Sequence, residues 1–141
     1  MRKPKVLFLC TGNRARSQMA EALLRRHAGD RFEIHSAGLE PEEIHPMTIQ
    51  VMEEAGFDMS DHEPKGLDQF LGKTHFGYLI TVCQSAEEKC PTFPGVGSRI
   101  FWPVGDPVAF EGPEEEKLNA FRAARDELEE RIQTWLEDFD G

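Results

Sequence analysis

The sequence predicts an α/β fold in which helices cover both faces of a parallel sheet. Short runs of consecutive apolar residues, which are typical of strands buried on both faces, recur along the chain. Segments with helical periodicity separate most of these runs. Because a helical crossover makes the strands that it joins parallel, this alternation indicates a parallel sheet.

The N-terminal segment predicts the first strand, a loop and the first helix. Residues 6–9 are apolar throughout and lead into Cys10, which indicates a buried strand. The polar residues 11–16 are expected to form a loop. Ser17 is expected to cap a helix that ends near Gly29, because Ser is a preferred N-cap and Gly a preferred C-cap.

The middle of the chain predicts two more strands and a second helix. Residues 32–37 predict a strand that Gly38 breaks, and residues 46–55 carry apolar side chains at helical spacing. Residues 67–71 predict at most a short helix. The apolar and β-branched run over 78–82 predicts a third buried strand.

The C-terminal part predicts a loop, a strand and a long helix. Prolines and glycines surround Cys90, so we expect a mobile loop over 84–97. Residues 99–103 predict a short fourth strand. Residues 114–139 carry apolar side chains at helical spacing and predict a long helix.

Length and composition limit the class of protein. The 141 residues fit one domain, 1–141. A formal net charge of −10 argues against binding to nucleic acid or to an anionic membrane surface. Apolar runs are too short for a membrane span or a signal peptide, so we expect a cytoplasmic protein. Three cysteines, an odd number, argue against a secreted disulfide scaffold.

The loop after the first strand has the pattern of a nucleophilic anion site. Cys10 ends the strand, Arg16 follows six residues later, and a helix begins there. Backbone N–H groups of such a loop converge on an anion, and the Arg16 guanidinium can hold two of its oxygens. The positive field is expected to lower the pKa of the Cys10 thiol, and Ser17 can hydrogen-bond its sulfur. Gly12 and Asn13 tolerate the positive φ of a tight loop.

The whole loop is predicted to bind the oxyanion. Arg14 either adds positive potential at the mouth of the site or faces water. The predicted oxyanion-binding residues are Thr11, Gly12, Asn13, Arg14, Ala15, Arg16 and Ser17.

Two further cysteines and an aspartate are expected at the same edge of the sheet. Cys83 follows the third strand and Asp106 follows the fourth, and sites form at the carboxyl ends of parallel strands. The spacing of Cys83 and Cys90 does not suit zinc; they are either ordinary buried residues or a redox pair whose disulfide needs the segment to bend or unwind. Asp106 lies in Gly-Asp-Pro and is either a turn residue or a general acid.

The motif CTGNRARSQMAEALLR resembles the low-molecular-weight tyrosine phosphatase superfamily, and most of all its thioredoxin-coupled arsenate reductases. The segments HSAGLEP, TVC…CP and GDP extend this resemblance over essentially the whole chain. Ser-Gln-Met-Ala-Glu after Arg16 is similar to the reductases, whereas the phosphatases more often have Ser-Pro there.

The resemblance implies a fold, a reaction and a set of site residues. The fold is a single phosphatase-I-like α/β domain with a four-stranded parallel sheet in the order 2-1-3-4. The reaction is reduction of arsenate to arsenite by a relay of three cysteines, with thioredoxin re-reducing the enzyme. The implied catalytic residues are Cys10, Arg16, Cys83, Cys90 and Asp106.

The resemblance also implies support for the loop by Asn13, Glu21 and Ser36, with Lys65 or a monovalent cation near Glu21. We expect a monomer without a metal or organic cofactor, and phosphate or sulfate as oxyanions that compete with arsenate. Two alternatives stay open. The first is a tyrosine phosphatase that uses Cys10, with weak phosphatase activity expected on either reading. The second, more remote, is a non-catalytic oxyanion or redox sensor.

Overall fold

The computed structural model describes residues 3–89 and 96–140. Four strands alternate with four α-helices, and one turn of 3₁₀ helix covers Leu67–Gln69. The elements are β1 (Lys5–Cys10), α1 (Arg16–Ala28), β2 (Glu33–Gly38), α2 (Pro46–Glu54), β3 (Tyr78–Thr81), α3 (Gln84–Lys89), β4 (Ser98–Phe101) and α4 (Glu114–Asp140).

The strands form one sheet in the order β2-β1-β3-β4, and every neighbouring pair is parallel. Phe8 in the middle of β1 lies beside Ser36 on one side and Ile80 on the other. The predicted fold class and strand order are thus confirmed. All four strands end at the same edge, which therefore collects the residues that follow them.

Both faces of the sheet are covered. Consecutive side chains of a strand point to opposite faces, and Val6, Leu7, Phe8 and Leu9 are all fully buried. Helix α1 packs against β1, β2 and α4, whereas α3 packs against β1 and β3. The continuous apolar run of β1 follows from this double coverage.

Three predictions about secondary structure are wrong. Helix α1 begins at Arg16 with Ala15 as N-cap, so Ser17 lies inside the helix, where its hydroxyl contacts the Cys10 sulfur instead of capping. Gly38 does not break the second strand but is its last residue and pairs with Cys10. Residues 84–89 form helix α3 rather than a loop.

Helix α3 forms because local contacts stabilise its first turn. The backbone N–H of Ala86 donates to the Cys83 sulfur at 3.3 Å, and the N–H of Glu87 donates to the Cys83 carbonyl at 3.1 Å. The Thr81 hydroxyl also donates to the Glu87 carboxylate. Proline and glycine content of the whole 84–97 segment hid this helix, since those residues all follow it in sequence.

Within residues 3–89 and 96–140, no helix has both the length and the apolar character that crossing a membrane requires.

Candidate active site

A cavity of about 390 Å³ opens where β1, β3 and β4 end. It is lined by the loop after β1, by the start of α3 and by the loop after β4. Its lining residues are Cys10, Thr11, Gly12, Arg14, Ala15, Arg16, Glu42, Cys83, Gln84, Asp106 and Val108. The topology thus brings together the described catalytic candidates. Cys90 lies outside the described residues.

The Cys10 sulfur is held by its own loop. It lies 2.8 Å from the Ser17 hydroxyl and accepts a hydrogen bond from the backbone N–H of Asn13 at 3.2 Å. Asn13 has a φ of 51°, which Asn adopts more easily than most residues. The expectation of positive φ is therefore confirmed for Asn13, whereas Gly12 does not need it.

The Asn13 side chain connects the loop to three other segments. Its amide nitrogen donates to the hydroxyls of Ser17 at 2.8 Å and Ser36 at 3.0 Å. Its amide oxygen accepts from the Gln18 side chain at 2.9 Å and from the Lys65 backbone at 2.8 Å. Both ends of this buried amide are fully used, as a buried polar group requires. The network explains how a strained loop residue keeps one conformation.

Glu21 is a buried carboxylate behind this network. It accepts a hydrogen bond from Ser36, and Arg25 pairs with it at 2.8 Å. The Lys65 ammonium lies 3.7 Å from the same carboxylate. Lys65 therefore places a positive charge beside Glu21, where the sequence left open either this lysine or a monovalent cation.

The segment after β2 also holds the loop. Backbone N–H groups of Leu39, Glu40 and Glu42 donate to the carbonyls of Cys10, Thr11 and Gly12, respectively, at 2.8–3.2 Å.

Gly38 immediately precedes the segment that donates these hydrogen bonds, and its position requires glycine. A Cβ atom at this position would lie only 2.8 Å from the backbone N of Asn13 and the carbonyl oxygen of Thr11. The loop and β2 therefore approach more closely than any other residue allows.

Arg16 lines the cavity, and its side chain is mostly buried. Its guanidinium donates to the Val104 carbonyl at 2.8 Å and lies 3.6 Å from the Asp106 carboxylate. Asp106 is 41% exposed and accepts a hydrogen bond from the Val108 backbone at 3.0 Å. Asp106 is therefore a turn residue that also lines the cavity. Its role in the turn is compatible with the predicted role as a general acid.

Cys83 is the second sulfur of the cavity. It is buried, and it lies 3.5 Å from the hydroxyl of Thr11, which follows Cys10. Within the described residues, Cys10 and Cys83 are both free thiols. The contact with Thr11 links the Cys83 sulfur to the loop that follows Cys10.

Burial raises the pKa of the Cys10 thiol above its usual value. Hydrogen bonds from Ser17 and Asn13 and the charge of Arg16 all act to lower this pKa, but desolvation outweighs them. The expectation of a lowered pKa is therefore wrong. It counted the positive groups of the loop, which are visible in the sequence, and missed the burial of the sulfur.

Within the described ranges, no group of three or more His, Cys, Asp or Glu side chains is arranged to hold a metal ion.

Sequence reasoning missed three residues that line the cavity, namely Glu42, Gln84 and Val108. It also missed Gln18, whose side chain donates to Asn13. Gln84 and Val108 lie one and two residues from Cys83 and Asp106, so proximity to those candidates was an available signal. No sequence signal marks Glu42, which depends on how the segment after β2 folds over the loop.

A family model described as low molecular weight phosphotyrosine protein phosphatase matches residues 5–140. The chain belongs to this family. An arsenate reductase of Halalkalibacterium halodurans is 39% identical over 138 residues, which make up 97% of this chain and 98% of that relative. The family and the similarity to its arsenate reductases agree with the resemblance seen in the sequence.

Two solved structures are also similar to this chain. One is an arsenate reductase in the phosphate-binding state, which aligns with a TM-score of 0.77 at 27% sequence identity. The alignment covers 96% of this chain and 98% of the reductase chain. The other is a thioredoxin-dependent arsenate reductase of Corynebacterium glutamicum, which aligns with a TM-score of 0.63 at 34% sequence identity. This alignment covers 94% of this chain and 63% of the Corynebacterium chain.

Proposed function

We propose that this chain reduces arsenate to arsenite through a thiol–disulfide relay. The observation that carries the proposal is the presence of two cysteine sulfurs, Cys10 and Cys83, in the one cavity that also holds Arg16 and Asp106. Hydrolysis of a phosphate ester needs one thiol, whereas reduction of arsenate needs a second thiol to supply electrons. The similarity to relatives named arsenate reductase supports the same choice.

The first step is nucleophilic attack by the Cys10 thiolate on arsenic. The Arg16 guanidinium and the loop N–H groups hold the arsenate oxygens. The arsenate hydroxyl group opposite the new S–As bond takes a second proton from Asp106 and leaves as water. Arsenic is still As(V) in the Cys10 adduct, so no electrons have yet been transferred.

The second step transfers the electrons. The Cys83 thiolate attacks the Cys10 sulfur, an S–S bond forms, and the S–As bond breaks with its electron pair passing to arsenic. Arsenic leaves as arsenite, As(III), and the two sulfurs together lose two electrons. The Thr11 hydroxyl beside the Cys83 sulfur links the two reacting loops.

The third step restores Cys10. Cys90 attacks Cys83, which moves the disulfide to Cys83–Cys90 and releases the Cys10 thiolate. A dithiol protein then reduces this disulfide, and we propose thioredoxin in that role because a similar solved relative is thioredoxin-dependent. We place the protein in the cytoplasm, where thiols stay reduced between turnovers, and we expect it to act as a monomer.

A weak phosphatase activity is expected beside the reductase activity. Phosphate and arsenate have nearly the same shape and charge, so Cys10, Arg16 and Asp106 can bind either one. No aromatic side chain among the described residues lines the cavity, however, so an aryl leaving group has no ring to stack on. This lining favours an inorganic oxyanion over an aryl phosphate.

The deciding experiment is arsenate turnover with thioredoxin, thioredoxin reductase and NADPH, followed through NADPH oxidation. The wild type is expected to turn over many times. Cys83→Ser is expected to release little arsenite, because the first disulfide cannot form. Cys90→Ser is expected to complete about one turnover and stall as a Cys10–Cys83 disulfide, which mass spectrometry detects.

Hydrolysis of an aryl phosphate by the same variants is the control. That reaction ends with attack by water on the Cys10 adduct and uses neither Cys83 nor Cys90. If both variants reduced arsenate with thioredoxin at the wild-type rate, the relay would be wrong. Efficient aryl phosphate hydrolysis without arsenate turnover by the wild type would favour the phosphatase.

A further inference from the structure

Arg14 is a second guanidinium at the cavity, and one of its donors is buried without a partner among the described residues. Its Nε atom is buried and has no hydrogen-bond partner in the described part of the chain. Its Nη1 atom lies 3.6 Å from the Glu42 carboxylate, too far for a good hydrogen bond. A guanidinium has five N–H donors, so Arg14 is poorly satisfied where it stands.

The backbone of Arg14 is held at its carbonyl oxygen. Its carbonyl accepts hydrogen bonds from the His45 backbone at 3.0 Å and from the Thr48 hydroxyl at 2.9 Å. These contacts tie the residue to the start of α2. The side chain is 31% exposed and lines the cavity.

Arg14 and Glu42 converge above Gly12. A Cβ atom on Gly12 would lie 3.3 Å from the Cγ and Cδ atoms of Arg14 and 3.3 Å from a Glu42 carboxylate oxygen. The two charged side chains thus meet over a residue that itself lines the cavity. Both side chains line the cavity that is proposed to bind the oxyanion.

The cavity contains two arginine–carboxylate pairs with matching separations. Arg16 lies 3.6 Å from Asp106, and Arg14 lies 3.6 Å from Glu42. Both carboxylates balance a guanidinium charge without a short hydrogen bond. Glu42 is well exposed, at 63% of its side chain, so water can solvate it when it separates from Arg14.

We propose that Arg14 and Glu42 form a charge gate that selects doubly charged tetrahedral oxyanions. Glu42 neutralises Arg14 until a dianion held by Arg16 displaces the Glu42 carboxylate and takes Arg14 as its second guanidinium. A monoanion of the same shape carries half the charge, so it competes less well with Glu42 for Arg14 and gains little from it. The inference rests on the proposed function for its physiological substrate, but it concerns binding and not electron transfer.

The test compares sulfate with perchlorate, two tetrahedral oxyanions that differ in charge. Dissociation constants are measured without reductant, by calorimetry or by protection of Cys10 from alkylation. Arg14→Gln is expected to weaken sulfate binding about tenfold and to change perchlorate binding little. Glu42→Gln is expected to tighten sulfate binding about threefold.

The double variant Arg14→Gln/Glu42→Gln distinguishes the gate from simple repulsion between Glu42 and the anion. If Glu42 acts by occupying Arg14, Glu42→Gln has no effect on sulfate binding once Arg14 is Gln. If Glu42 merely repels the anion through space, its effect persists in that background, and the gate is overturned. Glu43→Gln is the matched control, because it removes the same charge from an exposed neighbour outside the cavity lining.

The outcomes also separate this inference from the proposed function. Arsenate turnover by the wild type together with unchanged sulfate binding in Arg14→Gln would overturn the gate alone. A shift in sulfate binding without any arsenate turnover would support the gate and overturn the reductase proposal. If Arg14→Gln fails to fold, equal sulfate binding by Glu42→Gln and Glu43→Gln still contradicts the gate.

Discussion

The sulfur atoms of Cys10 and Cys83 line the same cavity, but the chain holds them in different ways. The Cys10 sulfur contacts Ser17 and the Asn13 backbone, and these two residues are themselves bound into a buried polar network with Ser36. The Cys83 sulfur contacts the Thr11 hydroxyl and the first turn of α3. Several residues of that six-residue helix face solvent.

This difference matches what each thiol does in the proposed reaction. Cys10 attacks an anion that must be held in one orientation, so a rigid, densely hydrogen-bonded loop favours its step. In the proposed relay Cys83 bonds first to Cys10 and then to Cys90, so a segment that can move favours its two steps. A short helix with few buried side chains opens at a lower free-energy cost than the loop does.

The strongest test of the comparison is Cys10→Ser. We expect loss of both arsenate reduction and aryl phosphate hydrolysis, by a factor on the order of 10⁴, because one thiolate serves both reactions. Steady-state assays of both substrates measure the loss. Cys83→Ser is the matched variant and is expected to lose only arsenate turnover. Near wild-type activity of Cys10→Ser toward either substrate would remove Cys10 from the nucleophile role.

A second test addresses the rigidity of the Cys10 loop through Gly38. Gly38→Ala places a Cβ atom 2.8 Å from the backbone of Asn13 and Thr11, so the loop must shift. We expect the free energy of unfolding to fall by about 1–3 kcal/mol and phosphate binding to weaken. Denaturant unfolding and calorimetry measure the two effects.

Gly77→Ala is the control for this substitution, since a Cβ there makes only an ordinary contact at 3.7 Å. It is expected to change the free energy of unfolding by less than about 0.5 kcal/mol. Equal stability and equal phosphate affinity of the two alanine variants would show that the close packing of β2 on the loop is not required.

The smallest expected effect concerns the pH at which Cys10 reacts. Burial raises the pKa of this thiol, and Ser17 opposes that rise by hydrogen-bonding the sulfur. Alkylation of Cys10 is therefore expected to have its midpoint at a higher pH than a free thiol. Ser17→Ala removes a stabilising contact to the thiolate, so it is expected to move the midpoint further upward.

Alkylation by iodoacetamide as a function of pH, with the product located by peptide mass spectrometry, measures both midpoints. Phosphate is expected to slow alkylation of Cys10 by occupying the loop. A midpoint for the wild type below that of a free thiol, or a downward shift in Ser17→Ala, would contradict this account of the sulfur's surroundings.

The sequence alone determined the fold class and the position of the candidate site. Apolar runs of the right length predict β1 and β3, and alternation with helices predicts a parallel sheet, because local periodicity reflects how many faces of an element are buried. The spacing of Cys10 and Arg16 then locates the candidate anion-binding loop. The sequence also named Gly12 and Asn13 as residues that tolerate a positive φ, but residue type did not decide that Asn13 adopts it and Gly12 does not.

Only the tertiary structure decided how those residues are surrounded. The full burial of the Cys10 sulfur, which reverses the expected direction of its pKa, comes from packing around the loop and not from the loop's own residues. The Val104 carbonyl that holds Arg16, and the Lys65 backbone that holds Asn13, lie 88 and 52 residues away along the chain. Desolvation and hydrogen bonds act over a few ångströms in space, so residues that are distant in sequence determine them, and no local pattern records which ones will meet.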